Sequence, residues 1–255
     1  MPGESLDEMF AEMVSGDYDA DAPWEAVRAL RKLGNREVFD RAAAWCSSQE
    51  PLKRARGADV LAQIGKGVGK PHSFPQESFE IISAMAKRET EPLPLSSALS
   101  ALGHLENAKA IEILVAQKSH PNADVRFAVA WALGGFAKDP LAASALIQLA
   151  GDPDDDVRDW ATFGLGEFSE IDSPEVREIL FRNFGDPSDD VRYEAMVGLA
   201  KRKDSRVLLA LIEALGEPDV SSATLEAAAA MLGQPQVPEW KPEAFIAALR
   251  DRYSS

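Results

Sequence analysis

The sequence predicts an all-α protein, a right-handed α-solenoid assembled from about seven stacked helical hairpins. Three observations carry that expectation. A short motif returns after 32 and then 34 residues, the apolar positions between its copies follow helical spacing, and the alanine-rich composition has only 7% aromatic residues. Low aromatic content and abundant small residues suit closely packed helices better than sheets.

The motif occupies three loops. These are His120-Pro121-Asn122-Ala123-Asp124-Val125-Arg126, Asp152-Pro153-Asp154-Asp155-Asp156-Val157-Arg158 and Asp186-Pro187-Ser188-Asp189-Asp190-Val191-Arg192. Proline cannot continue the preceding helix, so each loop ends one. The carboxylates before Val-Arg fall at the next helix N-terminus, where they suit exposed N–H groups and the positive end of the helix dipole. His120 stands where the other copies carry aspartate, and is expected to serve the same helix-end role. Val125, Ala128, Val129, Ala132, Leu133 and Phe136 then keep i, i+3, i+4, i+7 spacing and form one buried stripe. A second apolar helix follows each copy: Leu141 to Ala150, Pro174 to Phe184 and Arg206 to Leu215. One hairpin cannot cover its own apolar face, so neighbours must.

Weaker copies extend both ways. Trp24 to Leu33 with Glu37 to Cys46 forms a degenerate first unit, and Lys53 to Ile64 pairs with Pro75 to Lys87 across a Gly-rich connection. Pro94 to Leu105 pairs with Ala108 to Gln117, and Thr224 to Leu232 with Pro242 to Arg250 closes the array. The expected organisation is an acidic N-terminal segment, 1–21, and a single solenoid domain, 22–255, clearest over 92–216, with atypical repeats at both ends.

The Asp-Pro-x-x-Asp-Val-Arg loop and the Leu-Gly helix end (Ala132-Leu133-Gly134, Gly164-Leu165-Gly166) resemble the HEAT-like repeats first described in phycobilisome-type lyases. The chain is also similar to bacterial HEAT-repeat proteins of undefined activity. The resemblance implies that the Val-Arg helices line a concave inner face. It also implies that Arg126, Arg158 and Arg192 form an inter-repeat ladder with Asp124, Asp156 and Asp190.

On that arrangement, aligned positions outside the buried stripe would point into the groove. They are Phe127, Asp159 and Tyr193 at one level, Ala130, Thr162 and Met196 at the next, then Trp131, Phe163 and Val197. Apolar and aromatic side chains on a solvated face mark binding surfaces. The expected partner-binding set is Phe127, Trp131, Asp159, Thr162, Phe163, Tyr193 and Met196. Trp160 falls on a small-residue core position and is expected to pack rather than bind. Asp152, Asp154, Asp155, Asp186, Asp189 and Asp190 would form a negative ridge in the loops beside the groove.

The net charge of −15 argues against a nucleic-acid or anionic-membrane partner and for a protein or peptide partner with basic character. The first 21 residues hold no lysine or arginine, the reverse of a secretory leader, and no transmembrane-length apolar run occurs. A cytoplasmic location is expected. The three histidines do not form His-Glu pairs, and no metal or phosphate-loop motif is present. No cofactor is expected. The reading is a non-catalytic scaffold, adaptor or inhibitor, with an immunity- or antitoxin-like protein as one form. The alternative implied by the resemblance is a phycobilin-lyase-like enzyme or a carrier of a bilin-like ligand.

Overall fold

A computed structural model describes residues 5–234 and 239–253. The outermost residues of the segments 1–21 and 22–255 therefore lie outside the described residues. Among those described, the chain is helical with no strand; Gly67 and Lys70 form an isolated bridge. The chain divides into two compact units, Met1–Ala132 and Leu133–Ser255.

The N-terminal unit holds α1 (Leu6–Glu12), α2 (Asp21–Leu33), α3 (Arg36–Trp45), α4 (Pro51–Ala62), α5 (Pro75–Arg88), α6 (Pro92–His104), α7 (Ile111–Val115) and most of α8 (Ala123–Gly134). Proline at the first helical position starts α4, α5 and α6, where its missing N–H costs no hydrogen bond. Asn35 caps α3 by accepting from Val38 N, and Gly34 ends α2 in the left-handed conformation at φ 59°. The first helices stack on one another, α2 on α4 and α4 on α6, while α3 and α5 pack behind. Leu30, Phe39, Leu61, Ile82 and Leu102 fill the space between. The acidic N-terminal segment contributes to this core. Its helix α1 opens with a Ser5–Glu8 capping box, packs on α2, and is followed by Met13, which is buried with Phe10.

The C-terminal unit holds α9 (Pro140–Leu149), α10 (Asp155–Phe163), α11 (Pro174–Asn183), α12 (Asp189–Lys201), α13 (Leu208–Ala214), α14 (Ser222–Met231) and α15 (Pro242–Tyr253). Here α10 stacks on α12 and α12 on α14, and α11 lies against α12. A π-helical turn, Gly164–Phe168, ends α10. Glycines set the helix spacing there. A Cβ on Gly198 would stand 2.7 Å from Gly166 Cα, and one on Gly166 would stand 2.9 Å from Glu194 O. Gly166 of the Leu-Gly ending and Gly198 opposite it are thus required by close backbone approach, whereas a Cβ on Gly134 would meet only Gly164 Cα at 3.8 Å.

The loops follow one rule. A side-chain acceptor takes the N–H two residues on: Asp154 N donates to Asp152 Oδ1 at 3.0 Å and Ser188 N to Asp186 Oδ1 at 2.9 Å. His120 does the same through Nδ1, 3.2 Å from Asn122 N, so the imidazole substitutes for the carboxylate as expected. The arginines close the loops from the other side. Nη1 of Arg126, Arg158 and Arg192 donates to the carbonyls five and six residues earlier, at 2.7–3.1 Å.

The acids of the predicted ladder are corrected by this geometry. Arg158 forms a two-pronged pair with Asp186 of the following loop, at 2.8 and 3.0 Å, and Asp156 and Asp190 stay exposed. The cap of α10 is Asp154, whose carboxylate accepts from Val157 N at 3.2 Å. Asp156 instead occupies the first turn, where only its charge helps.

The glycine spacing is testable by urea unfolding. Gly198→Ala should lower stability by about 1–3 kcal/mol through overpacking. Gly185→Ala, whose added methyl would meet only Arg182 O at 3.6 Å, should leave it nearly unchanged.

Candidate functional site

Within each unit the inner first helices are covered on several sides, α4 by α2, α3, α5 and α6, and α12 by α10, α11 and α14. Only a narrow strip stays open, and successive members of a strip recur at i+4 and i+8. In the C-terminal unit the strip runs through Asp159, Phe163 and Glu167 on α10 and its π turn, and through Tyr193 and Lys201 on α12 with Glu194 beside Tyr193. Val197, between Tyr193 and Lys201 and expected to face the groove, is only 5% exposed. Tyr193 is 41% exposed, and Phe163 is half-buried between Trp160 and Phe168, with ring centroids 5.6 and 5.1 Å away. Glu167 and Lys201 form an ion pair across the two helices.

Two of the expected contact residues are not on this strip. Thr162 is fully buried; its hydroxyl donates to Arg158 O and accepts from Asn183 Nδ2, both at 2.7 Å. Asn183 also donates to Ala150 O at 2.8 Å, so the threonine belongs to the hairpin seam. Met196 is 5% exposed and Ala130 is fully buried. The reason is angular. These three positions lie 60° behind the open strip, on the side that faces the second helix, where a helix flanked on three sides has no exposed surface. Trp160, expected to be core, is instead half-buried against Phe163.

The strip carries more negative charge than the sequence reading assigned to it. Burial, and then the charges of Asp190 and Asp156, push the Asp159 carboxyl up to about 6. Burial, and then Asp159, Glu167 and Glu226, push Glu194 up to about 7 against a weaker pull from Lys201. Asp159 Oδ1 is shielded and has no hydrogen-bond partner among the described residues. The strip is therefore acidic itself, while the loop ridge is partly spent: Asp154 caps, Asp186 pairs with Arg158, and Asp189 pairs with Arg192. Glu194 had a legible signal, a charge at a position aligned with buried Ala128.

In the N-terminal unit Phe127 and Trp131 are both half-buried on α8. The Trp131 edge meets the His104 ring at 4.6 Å, and Gly103 leaves room for the indole. Burial, then Arg31 and Lys66, push His104 down to about 4, so the ring is neutral at ordinary pH. Phe127 and His104 line a half-enclosed cleft of about 670 Å³ between the first helices and the segment entering α2.

The floor of this cleft is a buried polar network. The Tyr18 hydroxyl donates to Asp59, 3.0 Å from Oδ2, and lies 2.9 Å from Ser97 Oγ. Arg56, with no exposed surface, donates to Met13 O at 2.8 Å and Tyr18 O at 2.6 Å, and its guanidinium covers the Tyr18 and Trp24 rings at 4.2 and 4.8 Å. Arg31 donates to Asp59 O through Nε and Nη2, at 2.9 and 2.6 Å. None of these floor residues stood out in the sequence, since they are contributed by unlike, degenerate repeats. Cys46 lies elsewhere in the core, and burial pushes its thiol up to about 12, so it presents no thiolate.

A model of HEAT repeats matches residues 79–166 and 143–232, more than half of the chain. Protein YibA of Escherichia coli K12 is 27% identical over 228 residues, covering 87% of this chain and 79% of YibA. The X-ray structure of E. coli YibA superposes with a TM-score of 0.76 at 24% identity, covering 96% of this chain and 92% of that one. The complex of CpcE and CpcF of phycocyanin lyase from Nostoc sp. PCC7120 is similar in fold, at TM-score 0.50 and 17% identity, covering 98% of this chain and 96% of that one. No helix among the described residues is long and apolar enough to cross a membrane.

The carboxylate row makes a signed prediction. Glu194 has its folded pKa raised from 4.5 to about 7, so the native state resists its ionisation. The resulting penalty is absent below 4.5, grows through that window, and is complete above about 7. Glu194→Gln should raise the urea midpoint relative to wild type above pH 7, and the difference should vanish below pH 4.5.

Proposed function

The chain belongs to the HEAT-repeat family, and from that premise we propose that it is a non-catalytic scaffold, adaptor or inhibitor holding a basic partner polypeptide against its first helices. The observation that carries this reading is the open strip of the C-terminal unit. There Asp159 and Glu194 are kept half-buried beside each other and beside further acids, with one lysine already paired to Glu167. Like charges held together in partly dry surroundings store repulsion that an incoming cation relieves. Tyr193 and the Trp160–Phe163–Phe168 cluster add the aromatic surface on which interface affinity concentrates. The net charge of −15 steers such a partner from a distance.

The partner contacts assigned to this reading are Tyr193, Phe163, Asp159 and Glu194, with Phe127 and Trp131 presented by the N-terminal unit. A basic domain whose cationic surface is its working surface would be silenced by being held this way. An immunity- or antitoxin-like role is therefore one form the scaffold can take, in the cytoplasm.

Affinity capture from the native source tests the reading, comparing wild type with Asp159→Asn/Glu194→Gln and with Phe163→Ala/Tyr193→Ala. The captured partner should be lost at least tenfold from both variants. Retention on wild type should also fall as salt rises. An unchanged captured set in both folded variants would sink the proposal.

A further inference from the structure

The N-terminal cleft contains an imbalance that the polypeptide reading does not use. Arg31 and the buried carboxylate Asp59 line its floor, and a second guanidinium, Arg56, lies behind them with no exposed surface. Arg56 and Asp59 face each other at 3.4 Å, and their remaining polar atoms are held by Met13 O, Tyr18 O and the Tyr18 hydroxyl. Arg31 bonds only a backbone carbonyl and forms no ion pair among the described residues. Its Nη1 hydrogens find no acceptor there. Arg31 and Arg56 share the single charge of Asp59, so the cluster holds one positive charge in excess, which an anion entering the cleft would balance.

A second donor points the same way. The Ser100 hydroxyl lines the cleft one helical turn beyond Ser97, is half-buried, and makes no hydrogen bond among the described residues. The walls are otherwise apolar or aromatic: Trp24, Phe127, Pro92, Leu93 and Pro94. Asp19, Glu91 and Asp124 stand exposed among the lining residues.

These features discriminate between ligands. A cation is disfavoured, because the Tyr18 and Trp24 rings are already covered by Arg56 and a newcomer would confront Arg31. A phosphate dianion must pass three exposed carboxylates to reach one unpaired guanidinium. A single negative charge on a flat or apolar body meets the same three acids with half the charge and is matched by the one guanidinium, and about 670 Å³ accommodates such a molecule with room to spare.

We propose that this cleft is a binding site for a monocarboxylate with an aromatic or apolar body, its carboxylate held by Arg31 and Ser100 and its body packed on Trp24 and Phe127. The same chemistry is offered by a free small acid and by the C-terminal carboxylate of a polypeptide ending in an apolar residue. The site belongs to the N-terminal unit and stands independently of the acidic strip.

Calorimetry on the full chain with phenylacetate, phenylacetamide, phenyl phosphate and the tripeptide Gly-Gly-Phe, with free or amidated C-terminus, tests the site. Phenylacetate or the free tripeptide should bind, and the matching amide should bind at least about tenfold more weakly, the share of one charge-assisted hydrogen-bonded pair. Whichever of the two carboxylates binds more tightly identifies the source. Arg31→Gln should remove at least about tenfold of the affinity. Because that variant also loses the bond to Asp59 O, Ser100→Phe supplies a second test: it fills the cleft and leaves Arg31 in place. Four results would overturn the proposal: equal binding of acid and amide, unchanged binding to folded Ser100→Phe, tighter binding of phenyl phosphate, or no binding of either carboxylate at about 10 mM.

Discussion

Each clear repeat is held by an arginine that reaches back over its own loop. Arg126, Arg158 and Arg192 satisfy two carbonyls left behind by the preceding turn, and this fixes the direction in which the next helix departs. Arg158 spends its remaining N–H groups on Asp186, so one guanidinium sets a loop and ties it to the following one. Both partners are largely shielded, with side chains 14% and 9% exposed, a setting in which a bidentate pair outweighs ordinary surface ion pairs. Helix direction in turn decides which glycines meet. The contact of Gly166 with Gly198 brings α10 and α12 close enough to leave only a strip open.

That closeness also generates the electrostatics of the strip. Helices at this spacing bring side chains of successive repeats near one another, so acids on neighbouring first helices repel. Asp159 and Glu194 show the result: both are held away from their ordinary ionisation by burial first and by neighbouring acids second. In the N-terminal unit the corresponding face is walled by Tyr18 and Trp24 into a cleft and carries the opposite imbalance on its floor, two guanidinium groups to one carboxylate. The two units thus present different chemistry on the same kind of helix face.

The helical hairpins were legible in the sequence because Pro, Asp and apolar spacing act locally. Pro75, Pro140 and Pro174 each start a helix where the pattern places one. The face of each helix was less legible. Thr162 and Met196 read as open because the apolar stripe alone defines one buried side, whereas the packed helix is covered on three. The loop acids read as a free ridge because a carboxylate's backbone partners are not visible in composition. The floor of the N-terminal cleft was not legible: Tyr18, Arg31 and the Arg56–Asp59 pair of α4 converge from three places far apart in the sequence.

The loop rule reaches further than the motif that revealed it. Asn107, Asp139 and Asp204 accept from the N–H two residues on, as His120, Asp152 and Asp186 do, so first and second helices are launched by the same device. What the position demands is an acceptor atom at a set reach, which an amide, an imidazole or a carboxylate supplies equally. Such a chain is free to change its letters while conserving its grammar. Its repeats can drift until identity no longer relates them, each still turning at the same place for the same reason.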